Sequence, residues 1–536
     1  MNMILRTAVA TAIAAAGVTA AQALDVTTYA GNAGTNVNVF ISGSTAVDTT
    51  LLNTAVLGVA PGGLCAAGTI DVYSIGGPTN RLIYCSASST SGITAGTPLA
   101  IFKESNAGSN NGVGPLISVA KGGASGLSFL SPAALVADTT HTECTTSAVA
   151  ATADFLAYTN HTACPATDVT STSINPTGGF ADVEAALLRN PNNIVNNQTD
   201  VTTNLTSANV FDVVWGVTVT KGLYYALQAA EYGTLCSSSD ATSCAPSLSK
   251  AQVASLYQGN VQAWSQLGLT NTVDDNTYIC RRDIQSGTEA SIEAYFLGAR
   301  CGTSSPQEAS DEAMAVQDGA FVFTANSGGS MRACLTALQN GGTITPYNGD
   351  FTGDGFSPVN FAAGGHWGIG LLSTEVTSGN MNPDTFRMIA VDGVLPTLAN
   401  TVNGYYPYWS SNVAYTIKTG KPGAPTGAPL TVWNTLSARM GDPAPTKGTN
   451  TAYAGRPWGN GGDLSPAIQF DTTATSVTTP ATTATTTASP INDFTKASAG
   501  GLANNCDTPV LRFINSSTLL KLTPEATLLG SGKVNQ

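Results

Sequence analysis

"NVNVFISGSTAVDTTLLNTAV", residues 36–56, decides how the chain is read. Val37, Val39 and Ile41 alternate, the period of a half-buried strand. The polar turn "SGST" follows, and then Val47, Leu51, Leu52, Ala55 and Val56 recur at helical spacing. Outward from there the unit repeats. At 98–120, "PLAIFKESNAGSNNGVGPLISVA" gives an apolar strand, the loop "NAGSNNG" and a helix face of Val113, Leu116, Ile117 and Ala120. At 178–188, "GGFADVEAALL" sets Val183, Ala186 and Leu187 on one helix face, with Asp182 at its start. A second run of the same kind begins near 205 with "NVFDVVWGVTVTKGLYYALQ" and continues through "LSKAQVASLYQGNVQAW". Strands alternating with helices predict an α/β fold with helices on the faces of a sheet.

Composition narrows the setting. The chain has 536 residues, 42% of them hydrophobic, but only 10% charged, against roughly 25% in ordinary soluble proteins. The net charge of −13 argues against nucleic acid and anionic membrane as partners. Arg6, the apolar run "TAVATAIAAAGVTA" and the small-residue step "AQA" at 21–23 read as a secretory signal over 1–23, with the mature chain starting near Leu24. No cysteine follows that step, so no lipid anchor is expected, and no later segment is long and apolar enough to span a bilayer, so no membrane insertion is expected. Ten cysteines in an exported chain predict disulfides. Cys236 with Cys244 and Cys280 with Cys301 are near neighbours, although sequence leaves the pairing open. "HTEC" (141–144) and "HTAC" (161–164) admit two readings. His141, Cys144, His161 and Cys164 could hold zinc, or Cys144 and Cys164 could form a disulfide, which an oxidising compartment favours. His366 has no ligand-like neighbours. "NGDFTGDGF" (348–356) spaces Asp350, Thr352 and Asp354 like a calcium loop, but Phe361 stands where the twelfth-position glutamate belongs.

"CRRDIQSGTEAS" (280–291) carries the chemistry. Ser286 and Glu289 have the spacing of a capping box, ahead of Ile292, Tyr295 and Phe296 on a buried helix face. A helix start offers unpaired N–H groups and partial positive charge, which favour an anion. Gly287 lets a ligand approach the backbone, Ser286 and Thr288 add hydroxyls, and Arg282 can present a bidentate fork. Two other loops offer the same donors: Ser44 and Thr45 open the first helix, and Gly108 and Ser109 open another. Asp182 is an acceptor among donors. A buried carboxylate there would favour phosphate, which keeps a proton near neutral pH, over sulfate, which does not. Each loop on its own is also explained by ordinary helix capping.

In order along the chain, "ISGST" (41–45), "GSNNG" (108–112), "AQVASLYQGNVQAW" (251–264), Arg282 with Ser286-Gly287-Thr288, "WGIGLLS" (367–373) and "DGVLPTLANTVNGYYP" (392–407) resemble the phosphate-binding component of ABC-type phosphate importers, a type 2, two-lobed periplasmic binding protein. In that family an acid stands two residues after the arginine, whereas here Asp283 follows Arg282 directly. The discriminating aspartate comes soon after the Gly-Ser loop, where this chain has Pro132. Asp182 takes its place, after the segment with the two His-x-x-Cys steps. The resemblance implies one lobe over 24–205 and 415–470 and a second over 206–414; composition sets off a low-complexity, Thr-rich flexible segment at 471–490 and an extension at 491–536 where apolar character returns. It implies inorganic phosphate or a similar oxyanion as ligand, an ABC permease as partner, no cofactor, and a periplasmic or secreted location. The ligand residues would be Ser44, Thr45, Gly108, Ser109, Asp182, Arg282, Ser286, Gly287 and Thr288.

Two other readings stand beside it. The low charge, the Thr/Asn/Ser-rich composition, the disulfides and the tail also suit an extracellular structural or adhesive protein on the same scaffold. A secreted hydrolase would need a motif such as Gly-x-Ser-x-Gly or His-Glu-x-x-His, and neither is present. The aromatic run "GYYPYW" (404–409) suits either a sugar contact or packing at a hinge.

Overall fold

The computed structural model describes residues 26–466, apart from 33, 76–79, 106–107, 138–143, 166–167, 171–172, 189–197, 299–319, 346–357, 376–384, 450 and 453–459. It also describes 491–492, 494–496 and 510–511. The calcium-like loop, Cys301, Cys506, His141 and the Thr-rich run lie outside the described residues.

The chain is α/β. Fifteen strands join in one mixed sheet, whose main path runs Phe321–Ala325, Tyr278–Arg282, Gly368–Ser373, Leu205–Thr220, Trp409–Ile417, Gly178–Ala181, Val37–Gly43, Pro98–Glu104, Asn80–Ser86, Asp71–Ile75, Tyr158–Cys164, Thr145–Val149. Two wings flank a shared centre. In one, Val37–Gly43 lies between parallel neighbours, Pro98–Glu104 and Gly178–Ala181. In the other, Tyr278–Arg282 lies between parallel Phe321–Ala325 and Gly368–Ser373. Parallel strands are covered on both faces, so they are nearly continuous apolar runs; Val39, Ile41, Ile279 and Ile369 are fully buried.

The centre is the 16-residue strand Leu205–Thr220. Its first part pairs antiparallel with Trp409–Ile417, and Trp215–Val219 pairs with Gly368–Ser373 of the second wing. One uninterrupted strand thus belongs to both halves. Its run of valines and aromatics is what a strand with two covered faces requires. A register irregularity between Ser411 and Val413 interrupts the neighbouring pairing, as a bulge does where a sheet must bend. From the aromatic run at 404–409, Tyr406, Tyr408 and Trp409 are buried here, while Tyr405 is half-buried. The Tyr406 hydroxyl donates to the Trp215 carbonyl at 2.7 Å, and Tyr408 stacks on Tyr295 with centroids 4.9 Å apart.

Four disulfides join Cys65–Cys85, Cys144–Cys164, Cys236–Cys244 and Cys280–Cys334. The Cys280–Cys301 pairing is therefore wrong. The helix Gly328–Asn340 covers the Tyr278–Arg282 strand and brings Cys334 to Cys280 with Cα atoms 6.1 Å apart, a proximity that chain distance does not reveal. The zinc alternative falls with the Cys144–Cys164 bond, because both thiols are consumed. His161 instead stacks on Tyr73 at 4.3 Å and bonds Thr146 and Asp71.

Three local readings also need correction. The helix that follows the Val37–Gly43 strand is Asp48–Ala55, preceded in the chain by the helix Val26–Gly31, so Ser44 and Thr45 sit in the turn before Asp48 and do not open the chain's first helix. Gly108 and Ser109 open a 3-10 turn, Gly108–Gly112, which precedes the helix Gly114–Ala120. Asp182 caps no α-helix: it follows the strand Gly178–Ala181, and only the 3-10 turn Ala185–Leu187 comes after. Among the described residues no helix is long and apolar enough to cross a membrane.

Candidate functional site

The loops at the carboxyl ends of the parallel strands meet between the wings, the usual position of ligand sites in sheets of this kind. In the first wing, glycines make the meeting possible. A Cβ on Gly43 would lie 2.2 Å from the Phe180 carbonyl oxygen and 2.4 Å from the Gly112 Cα, and one on Gly179 would lie 2.2 Å from the Gly112 carbonyl oxygen. Only bare backbone fits. That junction gathers the turn holding Ser44, the turn holding Ser109 and the strand end holding Asp182.

Ser44, Ser109 and Asp182 are then tied together. The Ser44 hydroxyl donates to Asp182 Oδ1, and the Asp182 N–H donates to Ser109 Oγ at 2.9 Å. From the central strand Trp409–Ile417, the Ser410 hydroxyl donates to the Asp182 carbonyl at 2.7 Å, and Asn412 Nδ2 reaches Asp182 Oδ1 at 3.5 Å.

The second wing closes on this group. A Cβ on Gly287 would be 2.4 Å from Ser109 Oγ and 2.8 Å from Asp182 Cβ, and one on Gly108 would be 3.5 Å from Arg282 Nη2 and 3.5 Å from the Ser286 Cα. The Asn110 N–H donates to the Gln285 carbonyl at 3.1 Å, and their side chains bond at 3.0 Å. Ser286 is the N-cap of the helix Gly287–Tyr295, but it accepts from the Thr288 N–H. The expected capping box does not form. Glu289 turns back instead and accepts from the Arg282 N–H at 3.2 Å, which fastens the helix start to the end of its preceding strand. Arg282 is aimed by two carbonyls: Nε donates to Ala325 at 3.2 Å and Nη2 to Asn326 at 2.9 Å.

Of the nine residues read from sequence, eight are buried and Thr45 is half-buried. Ser44, Ser109, Asp182 and Gly287 form one contact group, and Gly108, Arg282 and Ser286 form its neighbour. Thr288 shares the helix start. Thr45 stands apart, with its carbonyl accepting from the Asp48 N–H at 3.2 Å.

The electrostatics are those of a dry site. Burial pushes the Asp182 carboxyl up from 3.8 to about 6, opposed by the Arg282 charge, Ser109, Lys103 and Asn412. Burial also lowers Arg282, opposed by Asp182, Asp283 and Glu289. Lys103 was missed in the sequence. It is buried behind the first turn, paired with Asp48 at 3.2 Å, and donates to the Gly43 carbonyl at 2.6 Å and the Ser44 carbonyl at 3.1 Å. Burial lowers its pKa, with Asp48 and Glu104 opposing. Ser410 and Asn412 were missed too; the polar "SSN" after the aromatic run was the one available signal.

No family model matches the chain, and no curated protein matches it. Several solved structures do. One is described as a phosphate ABC transporter substrate-binding protein with bound phosphate, from Clostridium perfringens: 12% identical, covering 75% of this chain and 93% of that one, TM-score 0.34. PstS from Borrelia burgdorferi is 12% identical over 71% and 86%, TM-score 0.27. An ABC-type phosphate transport receptor from Vibrio cholerae is 15% identical over 46% and 69%, TM-score 0.24. Overlaps this slight assign the chain neither a family nor a ligand.

Proposed function

We propose that this chain is a binding protein that holds a tetrahedral oxyanion, phosphate by preference, between its two wings. The observation that carries the reading is the convergence of Ser44, Ser109 and Asp182 from one wing with Arg282, Ser286, Gly287 and Thr288 from the other, in a buried place. An anion there meets a guanidinium, a helix start and several hydroxyls. Asp182 supplies a carboxylate acceptor, so a ligand that carries its own proton is preferred. Entry requires the wings to part about the long shared strand, a hinge motion of the kind that closes two-lobed binders. The wings then correspond to 24–205 with 415–470 and to 206–414. Four disulfides suit an oxidising space outside the cytoplasm, and an ABC permease is the proposed partner for delivery.

One observation favours the scaffold reading. Arg282 Nε and Nη2 and Asp182 Oδ1 already have protein partners in the closed form. Titration calorimetry with inorganic phosphate separates the two readings. Binding by the native chain, weakened at least ~100-fold by Arg282→Ala as loss of a charged, buried anchor predicts, supports the oxyanion reading. No heat of binding with the native chain overturns it in favour of the scaffold.

A further inference from the structure

Two late pieces of chain lie across the hinge: 460–466, at the end of the first wing, and 491–492 with 494–496, beyond both wings. Asp463 and Leu464 pair antiparallel with Val213 and Asp212, close to where the long strand takes up the second wing: Ser373 faces Trp215, and Asp463 faces Val213. From the second wing, Thr374 grips this piece twice. Its hydroxyl donates to the Gly462 carbonyl at 3.1 Å and accepts from the Gly462 N–H at 2.9 Å. Contact is close enough that a Cβ on Gly461 would lie 2.5 Å from the Thr374 carbonyl oxygen. From the first wing, the Thr50 hydroxyl donates to Asp463 Oδ2 at 3.0 Å, and the Thr446 and Ser465 hydroxyls bond at 2.9 Å.

The second piece repeats the pattern. Ile491 and Asn492 pair parallel with Ser465 and Pro466. Asn492 Nδ2 donates to Asp212 Oδ2 on the long strand at 2.7 Å. Lys496 is buried: its ammonium donates to the Trp409 carbonyl and lies 4.7 Å from the Trp409 ring centroid. It shares a small space with Ser291, Ala294 and Tyr295, on the second-wing helix whose start carries the anion site. Ser410, next to Trp409, is the residue that holds the Asp182 carbonyl.

We propose that these two pieces act as a strap that clips the wings together across the hinge, so that a bound anion is retained and leaves only when the strap lets go. The strap bonds the residue after the strand ending at Ser373 and the helix carrying Thr50, and Lys496 lines one small space with the helix starting at Gly287. Rotation of one wing against the other must therefore break bonds on at least one side. This inference rests on the oxyanion reading for its ligand but not for its mechanics.

The test uses the full chain with Thr374→Val and Lys496→Ala combined, and inorganic phosphate as probe. Losing two hydrogen bonds and a buried cation contact predicts a phosphate dissociation rate at least about ten-fold faster, with the association rate nearly unchanged. The paired control, Thr374→Ser with Lys496→Arg, keeps hydroxyl and charge and restores slow release. An unchanged dissociation rate in a variant with native circular dichroism overturns the strap. Should the native chain bind no phosphate, the oxyanion reading fails separately and small-angle scattering judges the strap. A variant with a larger radius of gyration than the native chain supports it, and equal radii overturn it.

Discussion

Replacing Asp182 by asparagine should flatten one limb of the protein's stability profile against pH. In the ligand-free chain, burial lifts this carboxyl from 3.8 to about 6. A raised carboxyl pKa means that the folded state holds the proton more tightly than the unfolded chain. The group's stabilising contribution is therefore complete below the unfolded value and is lost as pH rises through the folded value. A shift of roughly two units, at about 1.4 kcal/mol each, comes to about 3 kcal/mol. Asparagine keeps a carbonyl oxygen for the Ser44 hydroxyl but has no proton to exchange. The assay is urea unfolding of both proteins in phosphate-free buffer at steps from about pH 4 to about pH 7, taking the difference in unfolding free energy at each step. Subtraction removes the other titrating groups, which the two proteins share. Relative to the variant, the native chain should lose about 2.4 kcal/mol of that over this range, most of it below about pH 6. Parallel profiles would refute the reasoning, because they would mean that Asp182 is solvated or compensated and is not the buried acceptor of the site.

Three further outcomes are expected. Gly287→Ala would put a Cβ 2.4 Å from Ser109 Oγ and 2.8 Å from Asp182 Cβ, so the closed wings must shift apart; phosphate affinity by calorimetry should drop at least about ten-fold, with a more open chain by small-angle scattering. Lys103→Met leaves Asp48 buried without its cation, 3.2 Å away in the native chain, and urea unfolding should show a loss of about 3–5 kcal/mol. Preference for phosphate over sulfate, measured by competition, should weaken as pH falls below about 6, where Asp182 takes up its own proton and no longer repels sulfate.

Local features were legible because they depend on neighbours a few residues away. The alternation of Val37, Val39 and Ile41 marks a strand, the helical spacing of Leu51 and Ala55 marks a helix, and Ser286 does cap the helix that follows it. Arg282 stood out because an arginine ahead of a Ser-Gly-Thr helix start is a donor set readable from adjacent positions. The third helix was misread because three residues at helical spacing in "ADVEAALL" also suit a single 3-10 turn. Nothing local decides between them until the chain's packing does.

What the linear order of residues determined, then, was the α/β alternation, the donor-rich turns and the disulfide habit of the chain. Tertiary structure alone decided that Asn412 reaches Asp182 from 230 positions away, that Cys334 faces Cys280, that Lys103 backs the first turn and that the tail returns across the hinge. The reason is physical. Backbone periodicity and capping act over one or two turns, whereas convergence depends on strand register and on whether glycine leaves room for two backbones to touch.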